Sequence, residues 1–382
     1  MSPDWRAVRP RTLAAAVAGL ALFACAACGS GSGSSGGTAA AGGKSQTAAV
    51  AAAKTALAQY TTRPTALPIT TPVGKAIPTG KRIDFILCGV QSCKDLADYF
   101  TAGASALGWR VNEIATQGTP QSVQAGWNQA VRDKPDAVVA GGFERSVFAT
   151  QLAQLKAMNI PVIESSTADT VGDGITMLID GPQVVGVEGR IMAAWTAVDS
   201  GGSADTVYFD LPTYSILKPV ADEFKSNYAT YCPGCKLDVV DVPITAIGND
   251  MPDRVVSYLR AHPGVNHIAF SLGLMDVGVP AALRAAGLQK SVHTVSNIGS
   301  TVNYQYIASG QSEAAVAFNN QENAWTQVDA LARIFTGQSP AVDQNAQLPF
   351  MLITKDNLIS TSTDFPLIAD YQEQFKKLWG KG

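Results

Sequence analysis

The sequence predicts an α/β protein of two doubly wound, parallel-sheet lobes, and three observations carry that expectation. Apolar runs of strand length alternate with amphipathic helical stretches from Arg82 to Ser296. Such alternation builds parallel sheets joined by right-handed crossovers. More than eight of these strands fall into two similar blocks, which fits two sheets better than one. At 382 residues the chain is long enough for each lobe to bury its own core. A composition 46% hydrophobic and 15% charged, with 35 Gly and 20 Pro, belongs to a turn-rich folded chain, not a disordered or coiled-coil one.

The first element is a leader. Arg6, Arg9 and Arg11 flank an apolar run at 13–24, and small residues follow it. A basic flank, a short apolar core and a small-residue cleavage site make 1–27 a secretory signal peptide, not a membrane span. Its end, Cys25-Ala26-Ala27-Cys28-Gly29, resembles the bacterial lipobox, with Cys25 where Leu is usual. The resemblance implies a lipid on Cys28 and a membrane-anchored lipoprotein; plain cleavage nearby is the alternative. The Gly/Ser/Ala stretch 30–43 reads as a flexible tether. Its glycine strings imitate dinucleotide and nucleophile-elbow motifs but follow no strand, so they can present no turn to a phosphate or acyl group. Val50, Ala53, Leu57 and Tyr60 then share one helical face, and a Pro-rich stretch, 64–78, leads into the body. Residues 28–80 are thus expected to form an anchor, a tether and a short helix.

In the body, strands are expected at 82–88, 109–114, 137–140 and 160–163, separated by helices at 96–107, 122–132 and 147–158. The pattern repeats with strands at 175–179, 206–209, 237–242, 267–270 and 293–296, and helices at 184–198, 217–228, 253–261 and 278–286. Ligands bind beyond the carboxyl ends of strands in such folds, so the expected site is the cleft between the lobes. Trp109, Trp195 and Trp325 read as packing residues.

Four cysteines lie beyond the leader: Cys88, Cys93, Cys232 and Cys235. An exported chain favours disulfides, and of three possible pairings the local one, Cys88–Cys93 with Cys232–Cys235, closes two short loops. Cys232-Pro233-Gly234-Cys235 also has the spacing of a redox pair. That reading needs a cysteine at a helix start, whereas 224–228 looks like a helix end.

A net charge of −3 without a basic block excludes nucleic acid as a partner, since that binding needs clustered Lys and Arg. The three histidines are His262, His267 and His293. His262 and His267 straddle a Pro-Gly turn and share no helix face, and no Ser–His–Asp or Cys–His set is supported. All three are read as structural; no metal, no cofactor and no enzymatic activity are expected.

Several segments together resemble the ribose-binding and related sugar-binding proteins of type I, the periplasmic solute-binding proteins of sugar ABC transporters. Met158-Asn159-Ile160-Pro161-Val162-Ile163 is similar to that family's "G-I-P-V" turn after Asp136-Ala137-Val138-Val139. His262-Pro263-Gly264-Val265-Asn266-His267-Ile268-Ala269-Phe270 is similar to its "H-P-D-V-x-A-I-F" turn, and 276–287 to its "D-x-x-A-x-G-A-L-x-A-x-G" helix. The resemblance runs from about Lys81 to Pro340. It implies a type I periplasmic-binding fold with a three-strand hinge. The N-terminal lobe would hold 81–180 plus 319–348, and the C-terminal lobe 181–318 plus 349–382.

The resemblance also places the ligand-binding residues. Gln91 and Ser92 lie in the loop after the first strand. Ser166 and Thr167 stand where an Asp-Arg pair usually grips sugar hydroxyls. Met275 replaces a usual Asn before Asp276, Asn297 occupies the "D-G" turn position, and Phe318 replaces a usual Gln, with Asn319 and Asn320 after it. Phe143 and Tyr214, at strand ends, either stack on a ligand ring or pack on a neighbouring helix; Asp276 either touches ligand or caps its helix. Losing charged grips leaves a more neutral, more apolar cleft, which suits a partly hydrophobic ligand and satisfies a polyhydroxylated one less well. The resemblance implies a monomeric extracytoplasmic solute-binding lipoprotein. It would capture a small sugar-like or polyol ligand for ABC permease subunits. A less polar or aromatic metabolite, or a sensing role for a membrane receptor, is the alternative.

Overall fold

Helix α1 (Gly37–Ala58) opens the computed structural model, which describes residues 37–361 and 364–382; the leader, Cys28 and the first part of the tether lie outside the described residues. The next strands are β1 (Arg82–Ile86), β2 (Arg110–Ile114), β3 (Ala137–Gly141), β4 (Val162–Ser165) and β5 (Met177–Ile179). They form one parallel sheet in the order β2-β1-β3-β4-β5. The crossovers are α2 (Gln91–Ala106), α3 (Pro120–Asp133) and α4 (Ala149–Ala157). Strand alternation sorts the core: Ile83 and Phe85 face Phe100 and Trp325, while Ile86 faces Trp127 and Leu152 on the other side. Thr119 starts α3 in a capping box with Ser122, followed by Pro120 in the first turn.

The second sheet holds β6 (Asp205–Asp210), β7 (Lys236–Asp241), β8 (His267–Phe270), β9 (His293–Ser296), β10 (Ala314–Ala317) and β11 (Met351–Thr354), ordered β11-β10-β9-β8-β6-β7. Its strands are parallel except β11, which runs antiparallel to β10. Around it lie α5 (Pro182–Asp199), α6 (Leu217–Tyr231), α7 (Met251–Ala261), α8 (Val279–Ala285) and α9 (Thr301–Ser309). Helices α10 (Asn320–Phe335), α11 (Ala341–Gln344) and α12 (Tyr371–Leu378) complete the chain. Gly189 lets α5 lie against α6, because a Cβ there would stand 2.0 Å from the Val220 carbonyl oxygen. The two sheets, each covered by helices on both faces, are the two expected lobes.

Several boundaries differ from expectation. β10 and β11 are extra strands; the run Ala314-Ala315-Val316-Ala317 has low strand propensity and is held by its neighbours on both sides. α1 extends back into the stretch expected to be coil, and its Ala53 and Leu57 are buried in the second lobe's core. Leu67, Ile69 and Val73 of the Pro-rich stretch are buried in the first lobe's core, so 45–80 is part of the body and not a tether. The segment 349–382 is divided as well. β11 pairs in the second sheet, but Ile368, Tyr371, Phe375, Leu378 and Trp379 pack with Trp325 in the first lobe. The apolar face of α12 has its counterpart on α10, and that takes the C-terminus back across.

The crossings therefore number five among the described residues: near 60–67, 180–182, 318–320, 346–351 and 367–368. Side chains and backbone stitch them together. Leu352 N–H donates to the Tyr60 carbonyl at 2.8 Å, Asn319 Nδ2 to Pro349 O at 2.9 Å, and Arg63 Nε to Leu367 O at 2.9 Å. Glu322 accepts the Ile368 N–H at 2.6 Å, and Asn323 Nδ2 donates to Asp180 Oδ2. The hinge is wider than three strands.

Both cysteine pairs are bonded, Cys88–Cys93 and Cys232–Cys235. Cys232 closes α6 at its C-terminal end and is buried, which is the placement of a structural pair. No helix among the described residues is long and apolar enough to cross a membrane.

Candidate functional site

The carboxyl ends of β1, β3, β4, β6 and β9 end in loops that turn toward the hinge side of each sheet, and the chain takes uncommon conformations there. Ser166, Asp180 and Ile298 have φ of 53°, 50° and 49°, left-handed values that cost a non-glycine residue free energy and often mark binding sites. Gly89 has φ 91° and a Cβ there would lie 2.2 Å from the Gly118 nitrogen, so only glycine lets these loops meet. A hydrogen bond from Ser215 Oγ, after β6, to Glu144 Oε1, after β3, joins the two lobes across the cleft.

The expected site residues separate into five groups. Asn297, Thr167 and Ser166 sit at strand ends, the first two buried and Ser166 half-buried. Phe318 and Asn320 sit half-buried on the crossover into α10, with Phe318 packed against the second lobe's core. Gln91 and Ser92 are exposed in the first turn of α2, where Gln91 Nε2 donates to Asp95 at 2.8 Å. Phe143 and Tyr214 are partly buried, each packed against its own lobe's core. Met275 and Asp276 are not brought to the cleft. Met275 is fully buried among core residues, because the short 3-10 turn at Gly273–Asp276 tucks inward. Asp276 does not cap α8 either; it accepts from Ser312 Oγ at 3.0 Å and Asn303 Nδ2 at 3.4 Å.

Asp180, Glu188, Asn323 and Gln327, not among the expected site residues, form a buried polar set with Asn297 where elements of the two lobes meet. Asn297 Nδ2 donates to Glu188 Oε2 at 2.7 Å, and Asn323 Nδ2 to Asp180 Oδ2. Gln327 Nε2 donates to Asn323 Oδ1 at 2.6 Å. Burial pushes Glu188 up to about 8, opposed by the Asn297 bond and reinforced by the nearby Asp180. Burial likewise pushes Asp180 up to about 7, opposed by Asn323. Thr167 Oγ1, Asp180 Oδ1, Glu188 Oε1, Asn297 Oδ1 and Asn319 Oδ1 are buried without a hydrogen-bond partner among the described residues. These atoms come from the ends of β4, β5, β9 and β10 and from α5, all elements that meet at the hinge. Buried polar atoms are normally paired, and with Asn297 bonded to Glu188 and Asp180 close to Glu188 these atoms are candidate partners for a hydroxylated guest. Two signals could have found it: Asn319, Asn323 and Gln327 recur every four residues on a buried helix, and Glu188 is a lone acid in an apolar run.

The loop after β3 supplies charge, and it is already committed. Arg145 Nε pairs with Asp169 at 2.8 Å, its Nη2 donates to the Thr170 carbonyl at 2.6 Å, and its backbone N–H donates to Asp169 at 2.6 Å. Glu164, on β4 and fully buried, has both oxygens unpartnered among the described residues. Burial, with Asp169 and Glu144 close by, holds its pKa well above the ordinary range.

Comparison with known proteins places this architecture. The family model of the periplasmic binding protein domain matches residues 93–339, and the chain belongs to that family. Among solved structures, an ABC transporter solute binding protein from Agrobacterium vitis with bound allitol is similar at TM-score 0.64 and 20% identity. The match covers 73% of this chain and 97% of that one. A periplasmic ribose ABC transporter protein from Conexibacter woesei matches at TM-score 0.66 and 16% identity, covering 75% and 95%. An ABC transporter periplasmic solute binding protein from Actinobacillus succinogenes with bound D-allose matches at 0.63 and 13%, covering 73% and 98%. None of the curated proteins matches the sequence.

Proposed function

We propose that the chain is the extracytoplasmic solute-binding subunit of an ABC importer, holding a small sugar-like or polyol ligand between its lobes without chemical turnover. The unpaired polar atoms on elements that meet at the hinge carry the reading. Hydroxyl groups both donate and accept, and would pair with Asn297 Oδ1, Asn319 Oδ1 and the carboxyl groups of Asp180 and Glu188. The bound allitol and D-allose of the similar folds are ligands of that chemistry. Ligand contacts made only when the lobes are shut would shift the population toward closure. A lipid on Cys28 would tether a monomer beside the permease on the outer face of the cell membrane.

A less polar or aromatic ligand remains the second reading, favoured by Ser166 and Thr167 in place of charged grips and by the commitment of Arg145 to Asp169. Thermal-shift titration against sugars, polyols, nucleosides and aromatic acids separates the two. A true ligand raises the midpoint with the logarithm of its concentration over Kd, and Asn297→Ala or Phe318→Ala lowers that rise measured from each variant's own ligand-free midpoint. Unchanged affinity in both variants, or conversion of the ligand to product, would overturn the proposal.

A further inference from the structure

At the opposite end of the second sheet from the cleft, three side chains meet that the sequence keeps far apart. His267 opens β8 and His293 opens β9, and the parallel register sets them directly side by side. Ala269 and Val295, two residues further along each strand, face the core beneath α5, so both imidazoles project to the α5 side. Asp199, the last residue of α5, lies over them, with Oδ2 3.1 Å from His267 Nε2 and 2.5 Å from His293 Nδ1. The three ligand atoms lie within 4.8 Å of one another.

The hydrogen bonds around His267 define what Asp199 meets. Asn266 Oδ1 accepts the Asp205 N–H at 2.9 Å, which identifies it as the oxygen. His267 Nδ1, 2.7 Å from the same oxygen, must therefore be the donor. In a neutral ring that leaves a lone pair on Nε2, aimed at a carboxylate oxygen. Two electron-rich atoms face each other unless a proton or a metal ion lies between them. An outward Nδ1–H bond to a carbonyl oxygen is also how metal-bound imidazoles are usually oriented. Asp199 adds a second reason for a cation, since a carboxylate at a helix C-terminus faces the negative end of the helix dipole.

We propose that Asp199, His267 and His293 hold a divalent transition-metal ion of the zinc class, with water at the fourth position. Two imidazoles and one carboxylate suit zinc rather than magnesium or calcium, which prefer all-oxygen shells. Ligand bonds of about 2.0–2.1 Å put neighbouring tetrahedral ligand atoms about 3.3 Å apart. The Asp199–His267 separation is already close to that. His293, half exposed, opens slightly to admit the ion and leaves a path from solvent. Trp195 packs edge-on against His267 and walls off the inner side. The ion would pin α5 to β8 and β9, within one lobe and away from the ligand cleft.

The test uses the tag-free full chain, stripped with chelator and titrated with cobalt(II) and zinc(II). One equivalent of cobalt is expected to give the intense visible absorption of a four-coordinate site with nitrogen and oxygen ligands, and zinc is expected to raise the unfolding midpoint. His293→Gln and Asp199→Asn, both at exposed positions, should fold as the parent does and lose the spectrum and the zinc shift. Asn266→Ala should weaken affinity about 10- to 100-fold, as removal of an outer partner does. An unchanged spectrum in both ligand variants would overturn the site. So would absence of cobalt binding at micromolar concentration, which would leave a protonated His–Asp–His cluster instead.

Discussion

Glu188 is a carboxyl group on the buried side of a helix otherwise lined there by Val185, Ile191 and Met192, and its proton matters to the whole chain. Its folded pKa of about 8 lies above the ordinary value of 4.5. The folded chain therefore keeps a proton that the unfolded chain has released. That contribution to stability is fully present below the unfolded value and is lost as pH rises through the folded one. Asp180, raised to about 7, acts in the same direction. The unfolding midpoint is thus expected to fall between about pH 5 and pH 9, and Glu188→Gln to flatten that fall; an equal slope in the variant would refute the assignment. Asn319→Ala leaves its Pro349 partner unpaired and removes a candidate ligand acceptor. Loss of one buried hydrogen bond costs about 1–3 kcal/mol, so roughly 5- to 150-fold in ligand affinity is expected by calorimetry.

At the level of elements, much of the architecture was legible because strand and helix periods are strong where the runs are long. The nine expected strands all form, with ends moved by a few residues. The exceptions have physical causes. Ala314–Ala317 is too alanine-rich to announce a strand and is one because β9 and β11 flank it. Met275 had the right neighbours in sequence for a ligand contact, but a single inward turn put it in the core. Asp199, His267 and His293 could not be grouped from spacing, since only strand register brings them together. Glycine in α5 is the sharpest element-level test. Gly189→Ala sets a Cβ 2.0 Å from Val220 O and 2.8 Å from Phe224 N, forcing α5 and α6 apart. A loss of about 1–3 kcal/mol in chemical denaturation is expected, as for other overpacked interfaces, and no loss would mean the helices yield freely.

For the whole molecule the two lobes and their hinge set what binding can do. The Ser215–Glu144 bond is a contact between lobes that an open state would lack. Ser215→Ala is therefore expected to favour the open state and weaken apparent ligand affinity several-fold, while small-angle scattering shows a larger radius of gyration without ligand. Equal radii and affinities would show that the contact does not bias closure. The hinge itself is a row of five chain crossings sewn edge to edge by Tyr60, Arg63, Asn319, Asn323 and Glu322. A door on one pin can swing and also twist; a door on a long piano hinge can only swing. The lobes of this protein are hung in the second way, so a ligand need select only one angle, and a permease would meet the same face each time the door shuts.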